Sequence, residues 1–246
     1  MKYILFVLFS TVSLAVSSQK IANIVWADDN GVITTDLEKA AYLIVVESFG
    51  DTAFQRLDYN FDGPRQRKRT YKDANLTILN GEYADYNEKG YLSSRGNYVN
   101  NKKEGDWYVF DDTASAIFEY KYHNDSLLNI VNLDSVSKEK KKQNIDTTEV
   151  EAQYKGGQKK LSKFISDHFE IPQRTKDLQA GGTVKVIYMI DVDGKIKDPH
   201  IIKSVEFSFD EEVIKVVSAA SDWIPASKNG KPVKAYRLQP FTLSFR

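Results

Sequence analysis

Few residues in this chain could do chemistry, and their spacing argues against catalysis. Asp191-Val-Asp193-Gly194 opens like a calcium loop, but the twelfth position counted from Asp191 is Ile202, where such a loop needs a glutamate. The four residues read instead as a hairpin turn. Asp210-Glu211-Glu212 could supply paired carboxylates, yet no motif sets a base, a nucleophile and an oxyanion donor beside them. Serine occurs without a Gly-x-Ser-x-Gly elbow. His123, His168 and His200 lie far apart and lack metal-ligand spacing, and the absence of cysteine removes disulfides, thiolate metal sites and a thiol nucleophile. The expectation is a protein that is not an enzyme, with no catalytic residue, no metal and no cofactor.

Lys+Arg and Asp+Glu both total 34, so the formal charge is zero and no global basic field exists to hold nucleic acid. The basic run Arg65-Gln-Arg-Lys-Arg69 is read as a solvated strand face rather than a binding patch. With 41% hydrophobic and 28% charged residues the chain is a folded soluble protein, and 12% aromatic content hints at strands. Residues 1–18 read as a secretory signal: Lys2, then the apolar run Tyr3–Val16, then Val16 and Ser18 at the small-residue positions. A spanning helix wants about 20 apolar residues, so an uncleaved inner-membrane anchor is the weaker alternative. The mature chain is expected to be exported, with no membrane span after cleavage.

Three regions follow. Residues 19–128 are rich in strand and turn signals: a short helical turn from Thr35-Asp36, a buried strand over Ala41–Glu47, and two polar-faced strands around Asp62-Gly63-Pro64. Within them lies an internal repeat. Gly81-Glu-Tyr83-x-x-Tyr86 recurs as Gly105-Asp-Trp107-x-x-Phe110, and Tyr98-Val-Asn100 recurs as Tyr122-His-Asn124, both at an offset of 24. Each unit reads as a hairpin of aromatic strands, turning at Glu88-Lys-Gly90 or at Asn101–Gly105. These motifs resemble MORN-like repeats over residues 78–125, which implies an interaction or glycan-contacting surface; the plainer reading is that the rings are the core between hairpins. Residues 129–150 form a polar, Lys-rich linker that should not bury a core and should be the most protease-sensitive stretch.

Residues 151–246 form the second domain. Leu161, Phe164, Ile165 and Phe169 lie on one face of a helix that stops at Ile171-Pro172. A strand over Thr183–Ile190 turns at Asp191–Gly194 and returns as Lys195–Val205. A second helix begins near Phe209 with the stripe Val213, Val216, Val217 and Ala220. The last strand, Val233–Phe245, changes its apolar parity at Pro240, which reads as an edge strand with a bulge. The fold class is therefore α+β: an N-terminal antiparallel β-hairpin repeat region, then a small C-terminal α-β-β-α-β domain with a three-stranded antiparallel sheet.

The C-terminal motifs also carry a resemblance. Tyr154-Lys-Gly156-Gly157, Ile171-Pro172, Gly182-Thr-Val-Lys-Val, Ile190-Asp-Val-Asp-Gly194-Lys-Ile196, Trp223-Ile-Pro225, Gly230-Lys-Pro-Val233 and Pro240-Phe241 together resemble the TonB C-terminal domain family. Ala152 stands where a Pro is usual, and Glu170-Ile171 precede Pro172 where a Tyr is usual. The resemblance implies a non-catalytic periplasmic module whose last strand receives an extended peptide of an envelope partner, such as a TonB-dependent outer-membrane transporter, by strand addition. The expected peptide-binding edge is Val233, Lys234, Ala235, Tyr236, Arg237 and Leu238, and proline at Ala235 or Arg237 should show which of the two points its N–H outward. A homodimer through the same edge is the alternative use of that strand. An envelope structural or glycan-binding protein using the aromatic hairpins is the alternative function. Tyr3–Val16 contains no His and the whole chain has six prolines, so an adaptor is favoured over an energy transducer with an anchored helix and a Pro-rich spacer.

Overall fold

The computed structural model describes residues 20–133 and 149–245. The expected signal, residues 1–18, and most of the expected linker, residues 134–148, lie outside the described residues. The first part is one antiparallel sheet of ten strands: β1 (Lys20–Ala27), β2 (Ile33–Thr34), β3 (Tyr42–Ser48), β4 (Phe54–Asn60), β5 (Arg65–Tyr71), β6 (Leu79–Tyr86), β7 (Leu92–Val99), β8 (Lys102–Phe110), β9 (Ala116–His123) and β10 (Ser126–Asn132). From β3 to β10 each strand pairs with the next in sequence, while β1 pairs with both β2 and β3. Thr35-Asp36 begins no helix: Lys39 and Ala40 close only single turns, onto the carbonyls of Asp36 and Leu37. The sheet also runs on through Asn132, past the start expected for the linker at residue 129.

The 24-residue repeat is visible in the hydrogen bonds. Leu79 N–H donates to Asn101 Oδ1 at 2.6 Å and, one period later, Lys103 N–H donates to Asp125 Oδ1 at 2.6 Å. The reciprocal bonds, Asn101 N–H to Leu79 O and Asp125 N–H to Lys103 O, are 2.9 and 3.0 Å. The supporting turns are Asn100-Asn101 (φ 50 and 67) and Asn124-Asp125 (φ 52 and 68), pairs of left-handed residues that Asn and Asp tolerate best. The second turn therefore sits earlier than the expected Asn101–Gly105, because Lys102–Gly105 already belongs to β8.

The second part is built from β11 (Glu149–Val150), β12 (Gln153–Tyr154), α1 (Gly157–His168), α2 (Gln173–Asp177), β13 (Gly182–Ile190), β14 (Ile196–Lys203), α3 (Phe207–Ala219), β15 (Trp223–Ile224), β16 (Ala226–Lys228), β17 (Lys231–Val233) and β18 (Ala235–Leu243). Its main sheet is antiparallel in the order β14-β13-β18. Alternation does the sorting: Val184, Val186, Tyr188 and Ile190 of β13 are buried together with Phe209, Val213, Val216 and Val217 of α3. Helix α3 starts at Glu206, whose carboxylate accepts from Ser208 N–H at 2.9 Å and Phe209 N–H at 2.7 Å, capping free donors of the first turn.

The two parts share one hydrophobic core. Ala84, Tyr86 and Leu92 of the hairpin sheet belong to the same buried cluster as the C-terminal residues, with Phe110 and Ala114 packed against it. Tyr91 forms an isolated β-bridge with Lys203, and its ring lies under the ammonium groups of Lys185 and Lys203 at 5.5 and 5.0 Å. The helices thus cover one face of the small sheet, and the rim of the hairpin sheet meets its neighbourhood from the other side.

Candidate functional site

β18 runs along β13 in continuous register from Ile190↔Ala235 to Gly182↔Leu243, with no shift at Pro240. The expected bulge is absent. The parity change in the sequence reflects the two faces of one regular strand: Arg237, Gln239, Phe241 and Leu243 face inward, whereas Tyr236, Leu238, Pro240 and Thr242 are exposed. Tyr236 and Leu238 are large side chains exposed to 71% and 50%.

The proline fixes which backbone groups remain open. Proline has no N–H and can sit opposite Lys185 only at a position that does not hydrogen bond to β13. Hydrogen bonding alternates along an antiparallel strand, so Ala235 and Arg237 both turn their N–H groups to β13. The outward donors are Tyr236, Leu238 and Thr242. Both Ala235 and Arg237 therefore differ from the expectation that one of them would point outward, because residues two apart share a direction.

The expected edge Val233–Leu238 is also divided. Val233 ends β17 and pairs with Ala226 of β16, while Lys234 lies between the strands with its ammonium 3.8 Å from Asp191 Oδ1. Of the six expected residues, Ala235, Tyr236, Arg237 and Leu238 belong to the edge strand β18. Arg237 is tucked inward: its guanidinium lies 5.0 Å from the Trp223 ring centroid and donates to Gln158 Oε1 at 2.9 Å. Beneath it, burial pushes the Tyr188 hydroxyl up to about 12, with Arg237 opposing the shift. These contacts tie Arg237 of β18 to Trp223 and to α1 of the same domain.

A groove of about 550 Å³ lies along this strand, and its wall includes Val150, Glu151 and Ala152. That wall escaped the sequence reading, which placed residues up to 150 in the linker; β11 instead pairs Glu149 and Val150 with Lys228 and Ser227 of β16. A second groove of about 460 Å³ separates the C-terminal half of β18 from Ser162, Ile165 and Phe169 in and beside α1.

The other sequence candidates have structural partners. Asp210 is fully buried and accepts from Ser204 Oγ at 2.6 Å, Tyr59 OH at 3.1 Å and Val205 N–H at 3.2 Å. Glu211 lies 3.6 Å from Arg65 Nη2, and Glu212 accepts from Glu170 N–H at 3.0 Å and Lys215 Nζ at 2.7 Å. Burial raises the carboxyls of Asp210 to about 6 and Glu211 to about 7, offset in part by the Arg65 guanidinium. The basic run is not a solvated face: Arg65 is buried, and Arg67, Lys68 and Arg69 pair with Asp85, Glu82 and Asp58. Asp191–Gly194 is a hairpin turn closed by Gly194 N–H to Asp191 O at 2.9 Å. Among the described residues no group of three or more His, Asp or Glu side chains could hold a metal ion, and no helix is long and apolar enough to cross a membrane.

The aromatic repeat packs on itself. Trp107 is only 6% exposed, its ring lies flat over Gly96, and it meets Tyr98 and Tyr122 edge-on at 5.1 and 6.2 Å. Lys103 covers the Trp107 ring from 4.5 Å. The Trp107 ring is thus covered on one side by Gly96 and on the other by Lys103.

Comparison with known proteins bears on the C-terminal part alone. No curated protein and no solved structure matches the chain. Residues 167–244, from the end of α1 through β18, match the family model described as Gram-negative bacterial TonB protein C-terminal, so this segment is similar to that family.

Proposed function

We propose that the chain is an exported periplasmic adaptor that binds an extended segment of an envelope protein by strand addition to β18, with a TonB-dependent outer-membrane transporter as the partner the family suggests. The observation that carries this is the outward row of backbone groups on Tyr236 and Leu238, set on a regular edge strand beside a groove. Pro240 interrupts the donors, so an added strand gains most of its bonds before that residue. Each bond contributes about 0.5–1.5 kcal/mol net, and a short peptide therefore binds on the order of micromolar or more weakly. Selectivity comes from the exposed Tyr236 and Leu238 side chains and from the opposite wall.

A photo-crosslinking amino acid at Tyr236 of the full chain, expressed in a Gram-negative envelope, should capture an outer-membrane protein. Leu238→Pro, which removes an outward donor, should abolish capture while circular dichroism stays unchanged. Capture that survives in a folded Leu238→Pro variant would sink strand addition.

A further inference from the structure

A second edge strand, β10, closes one side of the ten-stranded sheet, and its chemistry differs from that of β18. β10 reads Ser126-Leu-Leu-Asn-Ile-Val-Asn132: it has no charge, no proline and no glycine. Leu127, Leu128 and Ile130 are 48%, 61% and 52% exposed. Edge strands of folded proteins are normally guarded by charge, proline or brevity. β2 is guarded by brevity with two residues, and β18 is interrupted by Pro240. β10 has none of these three guards, its one irregularity being the register shift between Leu127 and Asn129, and among the described residues only β9 pairs with it.

The repeat shows what is open there. The step that places Leu79 against the Asn101 turn and Lys103 against the Asp125 turn next reaches Leu127. Among the described residues no turn closes on Leu127 in that way. An array of stacked units needs a polar cap at its end, and the last described strand of this one carries the exposed Leu127, Leu128 and Ile130.

We propose that β10 is the interface of a two-fold dimer of this chain, in which β10 pairs antiparallel with β10 of a second copy. A strand paired antiparallel with itself obeys a two-fold axis and closes after two copies. The register shift between Leu127 and Asn129 brings Leu127, opposite Tyr122, and Ile130, opposite Tyr120, to the same face of the sheet. An axis between Leu128 and Asn129 sets Leu127 of one copy against Ile130 of the other, so each covers the apolar group that the monomer leaves in water. The absence of charge on the strand and a net charge of zero on the chain leave no like-charge repulsion against a copy of itself. The proposal is independent of strand addition at β18, which lies in the other part of the molecule.

Sedimentation of the purified full chain over a wide dilution range decides it. The wild type should show twice the monomer mass at high concentration, and Ile130→Lys and Leu127→Lys should each restore the monomer without changing the circular dichroism. Tyr236→Lys should remain dimeric. Because the chain has no cysteine, mixing Leu128→Cys with Asn129→Cys chains should give disulfide-linked dimers under mild oxidation, whereas Tyr236→Cys should give none. A wild type that is monomeric throughout overturns the proposal. So does a dimer that survives both lysine variants and cross-links at Tyr236, which would assign self-association to β18.

Discussion

Single residues decide the local geometry by what they lack as often as by what they carry. Gly96 lacks a Cβ, and one built there would stand 2.1 Å from the Trp107 ring. Gly96→Ala should displace that ring and destabilise the protein by about 1–3 kcal/mol, as overpacking does, read as a lower Tm together with a shift in tryptophan fluorescence. An unchanged Tm would mean that the indole has room to move. Pro240 lacks an N–H, and through that absence it sets the direction of every donor on β18. Proline at Arg237 should therefore act differently from proline at Leu238. The first breaks a bond to β13 and should lower Tm, while the second removes only an outward donor and should cost binding with little loss of stability.

At the scale of elements, the repeated turns are the parts most open to test. Asn101 and Asp125 each hold a left-handed backbone and each accept an N–H from the strand one hairpin back. Alanine at either position adds backbone strain and removes an acceptor, for a loss of about 1–2 kcal/mol each; equal losses in denaturant melts would show that the units are equivalent. Much of this level was legible in the sequence. The 24-residue offset, the alternation in β13, the stripe on α3 and the Asp191–Gly194 turn all express a local period that neighbouring residues carry themselves. The edge strand was legible too, but its bulge was an error, because a regular strand with one buried and one exposed face shows the same parity pattern around a proline. The short pairings β12–β15 and β11–β16–β17 and the groove wall at Val150–Ala152 were not legible. Strands of two or three residues have no period to detect, and their pairing is decided by distant partners. Arg65 was hidden for a related reason: nothing in a run of five polar residues says that the first will be buried beneath a helix that lies far along the chain.

The whole molecule is held together by that buried arginine and the acids above it. Arg65 N–H donates to Ser204 Oγ at 2.8 Å, Arg65 Nε donates to Tyr59 OH at 2.8 Å, and Asp210 and Glu211 at the start of α3 complete the set. Tyr86 OH adds a bond to Ile201 O at 2.8 Å. The C-terminal domain is therefore docked on the hairpin sheet by both a shared core and a polar network, and cleavage within residues 134–148 should leave the fragments co-eluting until denaturant is added. Independent elution of a fragment starting near Glu149 would show that the docking is weak.

The same network gives the docking a pH dependence with a definite sign. Asp210 and Glu211 titrate in the folded protein at about 6 and 7, above the ordinary carboxylate range, because burial disfavours their charged forms. A raised carboxyl contributes stability that is fully present below its unfolded pKa, near 4, and is lost as pH rises through its folded value. These two acids therefore loosen the fold between about pH 4 and 7, by at most about 3 kcal/mol for each group. His200 acts in the opposite direction: burial lowers it to about 4, so the neutral ring it prefers in the fold gains stability as pH rises from 4 toward 6.5. The wild-type profile mixes the two trends, and a variant separates them. Asp210→Asn combined with Glu211→Gln holds both positions neutral and leaves His200 in place. Its Tm relative to the wild type should climb steadily from pH 4 to 7 and level off above that. A difference that stays flat across this range would show that neither acid titrates there, and that the Arg65 guanidinium compensates fully for their burial.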